Sequence, residues 1–80
     1  MKATIYLTTW CPFCVRAKQL LEARGIPFEE HVLDDDRERE LAVKQRYGHS
    51  TVPIILLDGE FIGGCDELMA LDRRGGLVAG

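Results

Sequence analysis

The chain has 80 residues, enough for a single domain over 1–80 with one core and one site, and a domain of this size buries only a little over ~60% of its unfolded surface. Hydrophobic residues make up 46% and charged residues 29%, which excludes a disordered chain; ten basic against thirteen acidic side chains give a net charge of -3, so no general attraction to nucleic acid or anionic lipid is expected. No apolar run approaches the ~20 residues of a membrane-spanning helix, and the opening Met1-Lys2-Ala3-Thr4-Ile5-Tyr6-Leu7 lacks the features of an export signal, so a cytoplasmic monomer with no membrane partner is expected.

Residues 3–7 are β-prone and bounded by Thr8-Thr9, and they read as a buried first strand. Pro12 suits a first helical turn, where its missing N–H has no partner to lose, and Gly25 suits a helix end. The spacing therefore predicts a helix over 12–24 with Cys14, Ala17, Leu20 and Leu21 on its buried side. Residues 28–33 form a second strand. The acids Asp34-Asp35-Asp36 then start a second helix, with Asp35 and Glu38 spaced as a capping box and Gly48 as its stop after Tyr47. In that helix Glu40 and Lys44 are spaced for an ion pair worth roughly 0.3 kcal/mol. Residues 54–57 form a third strand, Asp58-Gly59 a hairpin turn, and Phe61-Ile62 begin a short fourth strand. After Gly63-Gly64, a last helix is expected over 66–74, with Leu68, Met69 and Leu71 on its apolar side and Gly75-Gly76 at its end.

The predicted order is β-α-β-α-β-β-α. A βαβ opening implies a parallel pair joined by a right-handed crossover, while a two-residue turn makes the last two strands antiparallel. The fold class is α/β, a four-stranded mixed sheet flanked by three helices.

Three cysteines are too sparse for a secreted disulfide framework, and Cys11-Pro12-Phe13-Cys14 sits at a strand-to-helix junction. There, free N–H groups and the helix dipole favour a thiolate on Cys11, while Cys14, one turn in, is shielded and stays a thiol. Cys11 would attack a disulfide, and Cys14 would resolve the mixed disulfide. A low thiol pKa helps mainly in leaving, because a Brønsted slope of ~0.4 to 0.5 offsets most of the gain in thiolate during attack. The pair is also half of a zinc site, yet zinc needs four ligands and only Cys65, His31 and His49 remain, with no second close pair. Redox chemistry is favoured, with no metal. A structural bridge across two residues would remove little chain entropy.

Taken in order and at these separations, Cys11-Pro12-Phe13-Cys14, Thr51-Val52-Pro53 and Gly63-Gly64-Cys65-Asp66 resemble glutaredoxin over essentially the whole chain. The resemblance implies a thioredoxin fold and a dithiol oxidoreductase that reduces protein disulfides and glutathione mixed disulfides. Glutathione is then the reducing co-substrate, and no cofactor is bound. It also implies a glutathione groove beside Cys11, with Phe13 as one wall, Thr51 and Val52 along the tripeptide, and Pro53 cis. Gly64 allows close backbone approach, the N–H groups of Cys65 and Asp66 hold the γ-glutamyl carboxylate, and the Asp66 carboxylate takes the ligand ammonium or caps the helix.

Two positions depart from the family pattern. Thr8 stands where many glutaredoxins have a lysine, and Glu40 stands near a usual basic or amide residue; both positions normally hold the glycine carboxylate of glutathione, unless Arg37 or Lys44 substitutes. Cys65 is expected to behave as a small hydrophobe with no redox role. Trp10 is a docking surface or an exposed loop aromatic, and His31 and His49 are structural. A redoxin fed by thioredoxin reductase or another small thiol is the rival suggested by Trp10, Thr8 and Glu40. An iron-sulfur carrier is disfavoured by Pro12.

Overall fold

Period-two alternation decides which side of the sheet each strand residue serves. In the computed structural model, which describes residues 1–78, the elements are β1 (Ala3–Leu7), α1 (Pro12–Ala23), β2 (Phe28–Val32), α2 (Arg37–Tyr47), β3 (Ile54–Leu57), β4 (Glu60–Gly63) and α3 (Cys65–Arg73). The strands lie in the order β2-β1-β3-β4, with β1 parallel to β2 and antiparallel to β3, and β3 antiparallel to β4. Ala3, Ile5 and Leu7 share a face with Ile55 and Leu57, and there they meet Cys14, Ala17 and Leu21 of α1 and Leu68 of α3. Ile54 and Leu56 point the other way, onto Val43 of α2 with Tyr6, Tyr47 and Phe61 around them. β3 is buried on both faces, which is why its sequence is an unbroken apolar run. Full burial of side chains such as Ile5, Ile54 and Ile55 contributes about 1.5–3 kcal/mol each.

The element order and mixed sheet match the sequence expectation, and several boundaries differ for identifiable reasons. α1 ends at Ala23, and Gly25 adopts φ 68 just beyond the cap at Arg24. β2 ends at Val32, although the Leu33 N–H still donates to the Leu7 carbonyl at 2.8 Å. The capping box of Asp35 with Glu38 does not form. Asp36 is the N-cap of α2, its carboxylate accepting from the Arg39 N–H at 3.1 Å, because Asp34 is engaged by Thr9 and Asp35 sits in a left-handed turn at φ 61. Glu40 and Lys44 pair as predicted, at 2.7 Å.

Asp58 and Gly59, at φ 51 and 82, make the tight hairpin turn that the sequence indicates. α3 starts one residue earlier than predicted, on Cys65. Its N-cap is Gly64, and the Glu67 carboxylate reaches back to accept from the Gly64 N–H at 2.9 Å, so Asp66 does not cap the helix. Arg24 clasps Asp72 through two nitrogens at 2.7 and 2.9 Å, joining the end of α1 to α3.

The outer strands carry different protection. β2 presents exposed Glu29 and Glu30, the latter paired with Lys18 at 2.6 Å. β4 is short, and its register with β3 shifts between Ile55 and Leu56. No helix among the described residues is long and apolar enough to cross a membrane.

Candidate active site

Cys11 occupies the N-cap of α1, in extended conformation at φ -83 and ψ 117, directly ahead of Pro12 at the first helical position. The helix starts there because β1 ends at Leu7, proline pre-sets the helical φ, and the Cys11 carbonyl accepts the first helical bond, from the Val15 N–H at 3.2 Å. The Cys11 sulfur is half-buried and donates to the Val52 carbonyl at 3.8 Å. Cys14 lies fully buried in the main core. Burial pushes its thiol up to about 12, opposed by hydrogen-bond donors on Thr8. One sulfur is thus within reach of solvent, and the other is kept protonated behind it.

The Val52–Pro53 peptide is cis. It borders a groove of about 200 Å³ beside Cys11, and Phe13, 51% exposed, forms the wall contributed by α1. Thr51, Val52 and Pro53 line a second side, and Gly64, Cys65 and Asp66 line a third, where α3 begins. All seven groove residues named from the sequence therefore converge on one concavity, although they come from three separate chain segments. A side chain at Gly64 would put its Cβ 3.1 Å from both the Pro53 carbonyl oxygen and His49 Nε2, so glycine lets the start of α3 close on this loop. Cys65 is buried and donates to the Met69 sulfur at 3.8 Å; burial, and then Asp66 beside it, push its thiol up. It projects into the core and offers the groove its backbone.

His49 and Glu67 also line the groove, and sequence reasoning missed both. His49 stands 3.4 Å from the Thr51 hydroxyl and packs edge-on to Phe61, so it belongs to the groove as well as to the packing. Only its place two residues before Thr51 could have signalled this. His31 is structural as expected: it stacks on Tyr6 at 4.8 Å and meets Arg39.

Thr8 is not at the groove. It is 2% exposed, so this position offers nothing to a ligand carboxylate. Glu40 lies in a second concavity of about 460 Å³, with Trp10, Arg37 and Lys44. Trp10, 70% exposed and next to Cys11 in the chain, lines it as well. Among the described residues no cluster of three or more His, Cys, Asp or Glu side chains could hold a metal ion.

Comparison with known proteins agrees with this architecture. The glutaredoxin family profile matches residues 3–62. The chain is 47% identical over 73 residues to glutaredoxin 3 of Escherichia coli, an alignment covering 91% of this chain and 88% of that one. The solution structure of the dithiolic glutaredoxin 2-C-Grx1 of Trypanosoma brucei brucei superposes with a TM-score of 0.82 at 43% identity, covering 95% of this chain and 81% of that one. A buckwheat glutaredoxin-glutathione complex superposes with a TM-score of 0.85 at 32% identity, covering 94% and 71%. The chain belongs to the glutaredoxin family, with the thioredoxin fold of that family, and is a thiol-disulfide oxidoreductase.

Proposed function

We propose that this oxidoreductase reduces glutathione mixed disulfides and protein disulfides with glutathione as its reductant, in the cytoplasm, with Cys11 as nucleophile and Cys14 as resolving thiol. The observation that carries the reading is the pairing of a half-buried sulfur at a helix N-terminus with a fully buried one a turn further on, beside a groove. Anions are favoured at that helix end by its free N–H groups and dipole. The Cys11 thiolate attacks one sulfur of a substrate disulfide, and the other sulfur leaves as a thiol. Cys14 then attacks Cys11 and releases the first sulfur, which takes up a proton and leaves the Cys11–Cys14 disulfide. A glutathione thiolate attacks Cys11 and frees Cys14, and a second glutathione releases the first as glutathione disulfide, restoring both thiols.

The groove suits an extended tripeptide. Thr51 and Val52 offer a backbone edge, Phe13 an apolar wall, and the N–H groups that open α3 a place for the γ-glutamyl carboxylate, with Asp66 for its ammonium. The buckwheat complex shows that a family member of similar fold binds this tripeptide. Turnover of a glutathione mixed disulfide, coupled to glutathione reductase and compared with coupling to thioredoxin reductase, is the test. Glutathione coupling is expected to dominate; preference for thioredoxin reductase would overturn the assignment of the reductant.

A further inference from the structure

α2 ends on Gly48 in left-handed conformation at φ 61, and the His49 N–H donates to the Lys44 carbonyl at 3.0 Å, closing the helix. That bond fixes where the His49 side chain leaves the backbone. The imidazole packs edge-on to Phe61 of β4 at 5.8 Å, its Nε2 stands 3.4 Å from the Thr51 hydroxyl, and it lines the groove beside Cys11. It also abuts α3. A Cβ built on Gly64 would lie 3.1 Å from Nε2, so this nitrogen sits against the turn whose N–H groups open that helix. Three elements thus hold one half-buried ring at the groove wall.

Charge gives the ring a task. Among the described residues that line the groove, the other ionisable side chains are Cys65, which projects into the core, and the acids Asp66 and Glu67. A ligand carboxylate entering the groove therefore meets two acids, and His49 alone can answer it with positive charge. Backbone donors are fewer than the helix start suggests, because the Gly64 N–H is already taken by Glu67 at 2.9 Å. The nearby cations are engaged elsewhere. Lys44 of α2 shares a neighbouring concavity with His49 but is tied to Glu40 at 2.7 Å, and Arg16 of α1 lies over the Phe13 ring at 5.8 Å. The carbonyl end of a helix, where His49 stands, favours a cation, and histidine is the side chain that ordinarily changes charge between about pH 5 and 8.

We infer that His49 is a specificity-determining residue of the groove: its imidazolium takes the α-carboxylate of the γ-glutamyl group while Asp66 takes the ammonium. The groove then selects a free amino-acid head group and grips it more firmly as pH falls from about 7.5 to about 5.5. The inference rests on the glutathione reading above and adds to it a side-chain contact that depends on pH. A neutral imidazole can still donate one hydrogen bond to a carboxylate, but the bond between two ionised partners is roughly twice as strong as a neutral one.

S-methylglutathione keeps both ends of the tripeptide and has no thiol to react, so its binding to the reduced protein, followed by calorimetry, isolates recognition from turnover. The parent is expected to bind it about five-fold more tightly at about pH 5.5 than at about pH 7.5. His49→Gln keeps a donor but cannot be charged, and it should lose that gain. His49→Arg carries a permanent charge and should bind with no gain between the two pH values. The control ligand bears a carboxamide in place of the γ-glutamyl α-carboxylate; the parent and His49→Gln should bind it alike, again with no gain at the lower pH. A pH gain that survives in His49→Gln or His49→Arg, or one that the parent also shows with the carboxamide ligand, would overturn this proposal alone. A parent protein that binds no S-methylglutathione at either pH would overturn the glutathione reading and this proposal together.

Discussion

Two concavities flank the loop that carries Cys11, and they are built from different materials. The first, beneath Phe13, is made of backbone and small residues: the cis peptide before Pro53, Gly64 and the opening turn of α3. The second, beneath Trp10, is made of long charged side chains on α2, two of which, Glu40 and Lys44, are already engaged with one another at 2.7 Å. Backbone donors cannot swing away or be screened by a neighbouring side chain, so the first concavity is organised before a ligand arrives. In the second, Lys44 must leave an ion pair to offer its charge, and Arg37 offers its own only on a long flexible side chain. A tripeptide lying across Cys11 is therefore expected to be held firmly at its γ-glutamyl end and loosely at its glycine end.

The largest expected effect removes the sulfur that lies in sequence between Trp10 and Phe13. Cys11→Ser should abolish reduction of both glutathione mixed disulfides and protein disulfides, whereas Cys14→Ser should lose most protein-disulfide reduction and keep the mixed-disulfide activity. Steady-state assays of both variants with both substrate types decide this; activity remaining in Cys11→Ser would mean a different nucleophile.

Next comes the organised side. Gly64→Ala places a Cβ 3.1 Å from the Pro53 carbonyl and from His49, so the loop must yield by a few tenths of an ångström. Overpacking of this kind costs about 1–3 kcal/mol. A rise of about ten-fold in the KM for glutathione with a lower Tm is expected. An unchanged KM would show that the start of α3 does not shape the binding groove.

A smaller effect sharpens the contrast. Glu40→Gln releases Lys44 toward the second concavity and should lower the KM for glutathione by about three-fold, the range of an exposed charge pair. Asp66→Ala, on the first side, should raise it by about ten-fold, the scale of a charge-assisted hydrogen bond, and leave the Tm unchanged, because Asp66 does not cap α3. Should Asp66→Ala lower the Tm with no change in KM, its role would be structural.

The smallest effect lies outside both concavities. The Arg24 guanidinium beside Asp72 holds that carboxyl below the usual range. A lowered folded-state pKa means that the pair stabilises the fold above about pH 4, the unfolded value, and that this contribution fades as pH falls through the folded value. Asp72→Asn should therefore cost a little stability near neutral pH and nothing at about pH 2, seen by circular dichroism during acid titration. An equal cost at both pH values would mean that packing, and not charge, joins α1 to α3.

What could be read from the sequence was whatever local chemistry alone determines. Pro12 after Cys11, the Asp58-Gly59 turn and the unbroken apolar run of β3 each need only their neighbours to be interpreted, and each appears where expected. Thr8 could not be read, because its direction depends on where β1 stops, and the chain turns one residue before alternation would have carried the side chain outward. Among Asp34, Asp35 and Asp36 any could have capped α2; Thr9, 25 residues from Asp34, settles the choice by engaging that carboxylate. His49 enters the groove only because the fold brings Gly64 and Phe61 against it. Local patterns named the parts, and long-range contacts decided which way they face.

The two borders of the sheet bear on self-association. An open strand border is a template on which a second extended chain can add, and proteins blunt such borders with charge, shortness or irregularity. Here β2 carries exposed acids on both of its faces, Glu29 and Glu30, and β4 is four residues long with a shifted register. A second copy attempting to extend the sheet meets like charges at one border and a misaligned ladder at the other. On the function proposed above, an extended peptide is expected to add instead at the loop ahead of Pro53, where a strand leads to a sulfur and not to a growing aggregate.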